Sequence, residues 1–134
     1  MKPRWTILIL TIASLVGCKP STEKVYNEVM DIHDAAMAKM DEIYQLKADL
    51  KQQLDHADDM VLEEKERLES LVVRLDSASK GMMDWMHDFH PELDSLTDEA
   101  YLQYLQDQLA AVKKVKADIE ESIQTAKDAA KAAN

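Results

Sequence analysis

Asp55-His56-Ala57-Asp58-Asp59 decides the fold of this chain. On either side of it apolar residues recur at steps of three and four. If the helix ran through it, residues 22 to 89 would form one rod of roughly 100 Å at 1.5 Å per residue. Such a rod needs a coiled-coil partner, and it is the alternative architecture. Aspartate prefers caps and turns to helix interiors, because its short carboxylate competes for nearby backbone N–H groups. Three aspartates in five residues therefore predict a turn. Asp59, with Glu63 and Glu64 behind it, predicts the start of a new helix, where negative charge complements the dipole.

Before the turn, Val25, Val29, Ile32, Ala36, Met40, Ile43, Leu46, Leu50 and Leu54 form one stripe. Tyr26, Met30, His33, Met37, Tyr44 and Lys47 form a second beside it. Ser21 or Thr22 is placed to cap this segment. After the turn, Val61, Leu68, Leu71, Leu75, Ala78, Met82, Trp85 and Phe89 continue the helical spacing. Pro91 ends that segment, since proline disfavours helix at the residue before it. Ser95 or Thr97 caps a third segment, whose stripe is Leu102, Leu105, Leu109, Val112, Lys116, Ile119, Ile123, Ala126 and Ala130. Lys127 and Lys131 sit near its end, where cations complement the dipole.

The expectation is an all-α chain with helices over about 22–55, 59–89 and 97–131. Similar lengths and short connections predict an antiparallel up-down-up three-helix bundle over 22–134. Beyond the first twenty residues glycine occurs only at Gly81, and proline only at Pro91, so a turn-rich sheet protein is excluded. Gly81, inside the second helix, predicts a close helix approach or a mild kink.

The start of the chain has a different composition. Lys2 and Arg4 precede an apolar run, Trp5 to Val16, and Leu15-Val16-Gly17-Cys18 closes it. The run is far shorter than the ~20 apolar residues a spanning helix needs. It reads as a targeting segment, 1–17, to be left out of fold reasoning. The closing tetrad resembles the lipobox of bacterial lipoproteins. That resemblance implies cleavage before Cys18 and fatty acylation of its sulfur and new N-terminus. Residues 18–21 are then the lipidated end and a short linker. Lipidation would consume the only cysteine, which otherwise would remain a leftover thiol. Lys19 after the cysteine, in place of an aspartate, points to the outer membrane, and the lack of an acidic run just after it, where only Glu23 is acidic, points to the periplasmic face.

Cleavage would remove two basic residues and no carboxylate, moving the net charge from −10 to −12. An acidic surface repels phosphate backbones and anionic headgroups, so nucleic acid is not expected as a partner. The expected partners are the membrane, through the lipid, and an envelope protein. The oligomeric state is open between a monomeric bundle and a rod-like oligomer.

No glycine-rich phosphate loop, G-x-S-x-G or H-E-x-x-H pattern occurs, so no enzyme is expected. One cluster carries chemistry. Met30, His33, Met37 and Met40 fall in the first segment, and Met82-Met83-Asp84-Trp85-Met86-His87-Asp88-Phe89-His90 in the second. Thioethers with imidazoles favour copper(I). His33 with Met37, Met83 with His87 and Met86 with His90 are spaced i,i+4, which puts each pair on one helix face. The candidate metal ligands are Met30, His33, Met37, Met83, Met86, His87 and His90, with Asp84 or Asp88 to orient an imidazole. The bland alternative is core filling, because methionine packs well against aromatic rings. A hairpin turning at 56–57 places Met30 level with Met83, and His33 level with Lys80.

Stretch 82–89, the lipobox and Tyr101-Leu102 together are similar to a group of small helical bacterial lipoproteins carried under the name "viral A-type inclusion protein". The likeness covers most of the chain and rests on helical patterning. It implies a helical fold and a lipid anchor. Two roles are expected from the whole reading: structural or protein-interaction work in the envelope, or soft-metal binding through the Met/His cluster.

Overall fold

The computed structural model describes residues 20–56, 60–92 and 96–132. Residues 1–17, expected as a targeting segment, Cys18, residues 57–59 of the expected turn and the cap candidate Ser95 lie outside the described residues. Every regular element is a helix: α1 Thr22–Met37, α2 Met40–Asp55, α3 Leu62–Asp88 and α4 Asp98–Ala132. Helices from the three expected segments pack against each other, α4 against each of the others. Among the described residues no helix is long and apolar enough to cross a membrane.

Caps explain where α1 and α4 begin. The Ser21 hydroxyl accepts from the Lys24 N–H at 3.2 Å, and the Thr97 hydroxyl from the Ala100 N–H at 3.3 Å. Each satisfies one of the unpaired donors of a first turn. By contrast, α3 starts at Leu62, three residues later than Asp59, with Val61 at its cap and no side-chain cap bond. Val61 and Leu62 are exposed, so the expected core role of Val61 is not realised.

The first segment is not one helix. The chain tightens at Ala38-Lys39, where the Lys39 N–H bonds to the Ala36 carbonyl, three residues back. That is a single 3₁₀-type step. The regular ladder resumes when the Ile43 N–H bonds to the Lys39 carbonyl. The step divides the segment's packing: α1 lies mainly on α4, and α2 mainly on α3.

Most of the stripe residues read from the sequence are buried or half-buried, whereas Tyr44 and Ala130 are exposed. Val29, Ile43, Leu75, Met82, Leu105, Val112 and Ile119 are fully buried. Ser79 and Ser122 are buried polar residues that the apolar pattern does not reveal. Their hydroxyls donate to the carbonyls of Asp76 and Asp118. This back-bonding lets a serine occupy a core face without an orphaned group.

Four ion pairs each join a different pair of helices: Glu28 with Lys113, Glu42 with Lys127, Lys47 with Asp76, and Arg74 with Glu121. Exposed pairs contribute little, about 0–1 kcal/mol each. They do mark register. Partner numbers rise together between the first segment and α4.

Gly81 makes no close approach. A Cβ added there would meet nothing within 4 Å. It lies beside a groove of about 240 Å³ lined by Arg74, Ser77, Val115 and Ser122 among others. Gly81→Ala removes the entropic cost of a mid-helix glycine at no steric cost. The variant is expected to gain about 0.5–1 kcal/mol, raising the melting temperature by roughly 2–6 °C. A calorimetric melt below that of the parent would show that the helix needs the glycine.

Candidate functional site

The end of the molecule holding the starts of α1 and α4 and the close of α3 carries a continuous column of rings. Trp85 stacks on Phe89 with centroids 4.9 Å apart and planes at 16°. Phe89 in turn faces Tyr26 at 6.5 Å and Tyr104 at 6.3 Å, and Tyr104 faces Tyr101 at 6.3 Å. His33 closes the column against Trp85 at 5.8 Å. Five of the seven aromatic residues of the chain meet here. Helical spacing brings Trp85 and Phe89 together on α3, one turn apart. The neighbouring helices supply the rest.

Two hydrogen bonds pin the chain as it leaves α3. The His90 backbone N–H donates to the Tyr104 hydroxyl oxygen at 2.8 Å. The Tyr101 hydroxyl donates to the Pro91 carbonyl at 2.6 Å. Burial raises the pKa of Tyr101 above the usual tyrosine value, with the neighbouring Tyr26 and Tyr104 adding to the effect.

The histidine in this column has a specific geometry. His33 is largely buried, with 17 % of its side chain exposed. Its Nδ1 lies 2.9 Å from Asp34 Oδ1 and its Nε2 lies 3.2 Å from Met86 Sδ. An ionised carboxylate only accepts hydrogen bonds, so Asp34 holds the proton on Nδ1. Nε2 is then turned toward a thioether sulfur. Trp85 lies alongside, and its indole Nε1 is buried without a hydrogen-bond partner.

The expected ligand residues divide into two groups. His33 and Met86 meet across α1 and α3. Met37 and Met86 are half-buried against the same core cluster, and Met30 is half-buried one turn before His33. Met83 points outward at 40 % exposure. His87 is a surface residue with 88 % of its side chain exposed, and its Nδ1 sits 2.9 Å from Asp88. His90 lies beyond the end of α3, so the helical i,i+4 relation to Met86 is not available. Met83, His87 and His90 therefore do not join the His33–Met86 contact.

The register differs from the expected one. His33 meets Trp85 and Met86, not Lys80, because α3 begins late, at Leu62. The offset is five to six residues, or roughly 8–9 Å along the helix. Asp84, one candidate for orienting an imidazole, bonds Lys80 at 2.5 Å instead. Asp34 takes that role at His33. Residues at i,i+1 do not face each other on a helix, so spacing offers no signal for this pair.

Among the described residues no three His, Cys, Asp or Glu side chains come together. The available donor set is imidazole plus thioether, which is soft. No family model, curated protein or solved structure matches this chain.

Proposed function

We propose that this chain is a lipid-anchored envelope protein, an antiparallel up-down-up three-helix bundle that acts by protein contact and not by catalysis. The observation that carries the reading is the start of α1 at Thr22, capped by Ser21. Only Lys19, Pro20 and Ser21 separate Cys18 from the helix. Three extended residues reach about 10 Å, so an acyl group on Cys18 would hold the aromatic end against the bilayer. Anchoring by several acyl chains is stable, whereas one chain binds only marginally. The acidic body would be held by lipid alone, since its net charge opposes adhesion to anionic headgroups. The periplasmic face of the outer membrane is the proposed location.

Contact function is assigned to the same end, where Met83, two residues before Trp85, and Leu96, next to the α4 cap Thr97, are exposed. Methionine side chains suit adaptable protein surfaces, being flexible and polarizable.

In a bacterial host fed an alkyne fatty acid, the parent protein is expected to carry the label and Cys18→Ser to carry none. Equal labelling of the two, or an unlabelled parent, would overturn the anchor. A photo-crosslinker placed at position 83 in intact cells is expected to give discrete heteromeric adducts. The same adduct pattern from a crosslinker at exposed position 69 would remove the contact surface.

A further inference from the structure

We infer that His33 Nε2 and Met86 Sδ are the core of a binding site for one soft monovalent cation, copper(I) or its analogue silver(I), walled by Trp85. This goes beyond the anchored contact role and does not depend on it.

Two atoms from different helices meet here. The Asp34 carboxylate lies 2.9 Å from His33 Nδ1 and orients the ring. Nε2, the other ring nitrogen, lies 3.2 Å from the thioether sulfur of Met86. Thioether sulfur is also a lone-pair donor and carries no proton. Two soft donors from different helices thus converge, close enough to bind one ion at their side. Imidazole with thioether is the donor chemistry that selects a soft metal ion over hard cations. Carboxylate–histidine–metal is also the arrangement by which proteins hold a ligating imidazole in one tautomer and raise its basicity.

Three further features of the fold agree. Met37 lies four residues after His33, and Met82 four before Met86, each one turn away on its own helix. Met82 belongs to the core cluster, and Met37 and Met86 pack against it. His33 and Met86 lie on different helices, α1 and α3, so an ion bound between them would tie the two together. Trp85 stands 5.8 Å from the His33 ring and is buried. An aromatic face attracts a cation and excludes water from it.

The test uses the full chain in detergent, carrying Cys18→Ser so that no thiol competes for the metal. Trp5→Phe in the same chain leaves Trp85 as the only tryptophan. Silver(I) is the probe, being redox-inert, and Trp85 emission is the readout. One equivalent is expected to quench the emission, with the end point at a ratio of one.

Met86→Leu keeps the volume and removes the sulfur. His33→Phe keeps a ring against Trp85 and removes the nitrogen. Each is expected to weaken binding by at least about tenfold, judged on variants whose circular dichroism and melting match the parent. Met83→Leu and His87→Ala are expected to bind like the parent. Competition with bicinchoninate under ascorbate extends the measurement to copper(I).

Binding by Met86→Leu as tight as by the parent would overturn the site. So would saturation by silver without change in Trp85 emission. An absence of binding by the parent would overturn the proposal and leave the His33–Met86 approach as a packing contact. Loss of binding in His87→Ala but not in His33→Phe would move the metal to the surface and end the proposal.

Discussion

Trp85→Ala is expected to destabilise the protein by about 3–5 kcal/mol, the usual loss when a large buried aromatic is truncated. For a chain of this size that lowers the melting temperature by roughly 10–20 °C. Trp85 is 8 % exposed and stands in the column between His33 and Phe89, stacked on Phe89 and tilted against His33. Each aromatic pair adds about 0.5–1.5 kcal/mol beyond its buried area. The indole Nε1 works the other way. It is buried without an acceptor, and an unpaired buried donor costs about 1–3 kcal/mol. Trp85→Phe removes that orphan and keeps a ring, so it is expected to lose well under half of what alanine loses. Urea titration of the three proteins measures both differences. A Trp85→Ala melt within about 2 °C of the parent would show that the column contributes little, since a loss of even 1 kcal/mol shifts the melt by several degrees.

Val112→Asp is expected to abolish cooperative folding at 25 °C. Val112 is fully buried in α4, and α4 is the helix that packs against all the others. A carboxylate placed there has lost its water and gained no partner, which costs several kcal/mol after relaxation. That is comparable to the whole stability of a small domain, about 5–15 kcal/mol. The next residue provides the control. Lys113 is exposed and pairs with Glu28 at 2.6 Å. Lys113→Ala is expected to cost less than about 1 kcal/mol. If Val112→Asp retained a sharp unfolding transition near that of the parent, α4 would not be the shared seam of the core.

Much of the fold was legible in the residues. The apolar stripes at three- and four-residue steps named most of the core, because a helix buries whichever face repeats at 3.6 residues. Ser21 and Thr97 were legible as caps, since a hydroxyl at a helix start has a local partner three residues on. The 3₁₀ step at Ala38-Lys39 was not. Its surroundings, Ala35-Ala36-Met37-Ala38, are good helix formers, and no local preference breaks the helix there.

The candidate site was legible in kind and not in membership. Composition pointed to His33 and Met86 as soft donors. Which donors meet depends on register between helices, and register here goes with the late start of α3 at Leu62. Asp34 was invisible to spacing arguments because adjacent helical residues point apart. Met83 and His87 share the favourable i,i+4 relation, yet that face of α3 looks outward.

Local chemistry thus determined the helices, their caps and their buried faces, since each follows from residues within one or two turns. Tertiary structure alone decided that α1 rests on α4 while α2 rests on α3, and that His33 meets Met86 instead of standing opposite Lys80. The physical reason is that helix-to-helix register comes from packing whole faces against one another. A shift of five or six residues leaves every local preference satisfied and changes which side chains touch.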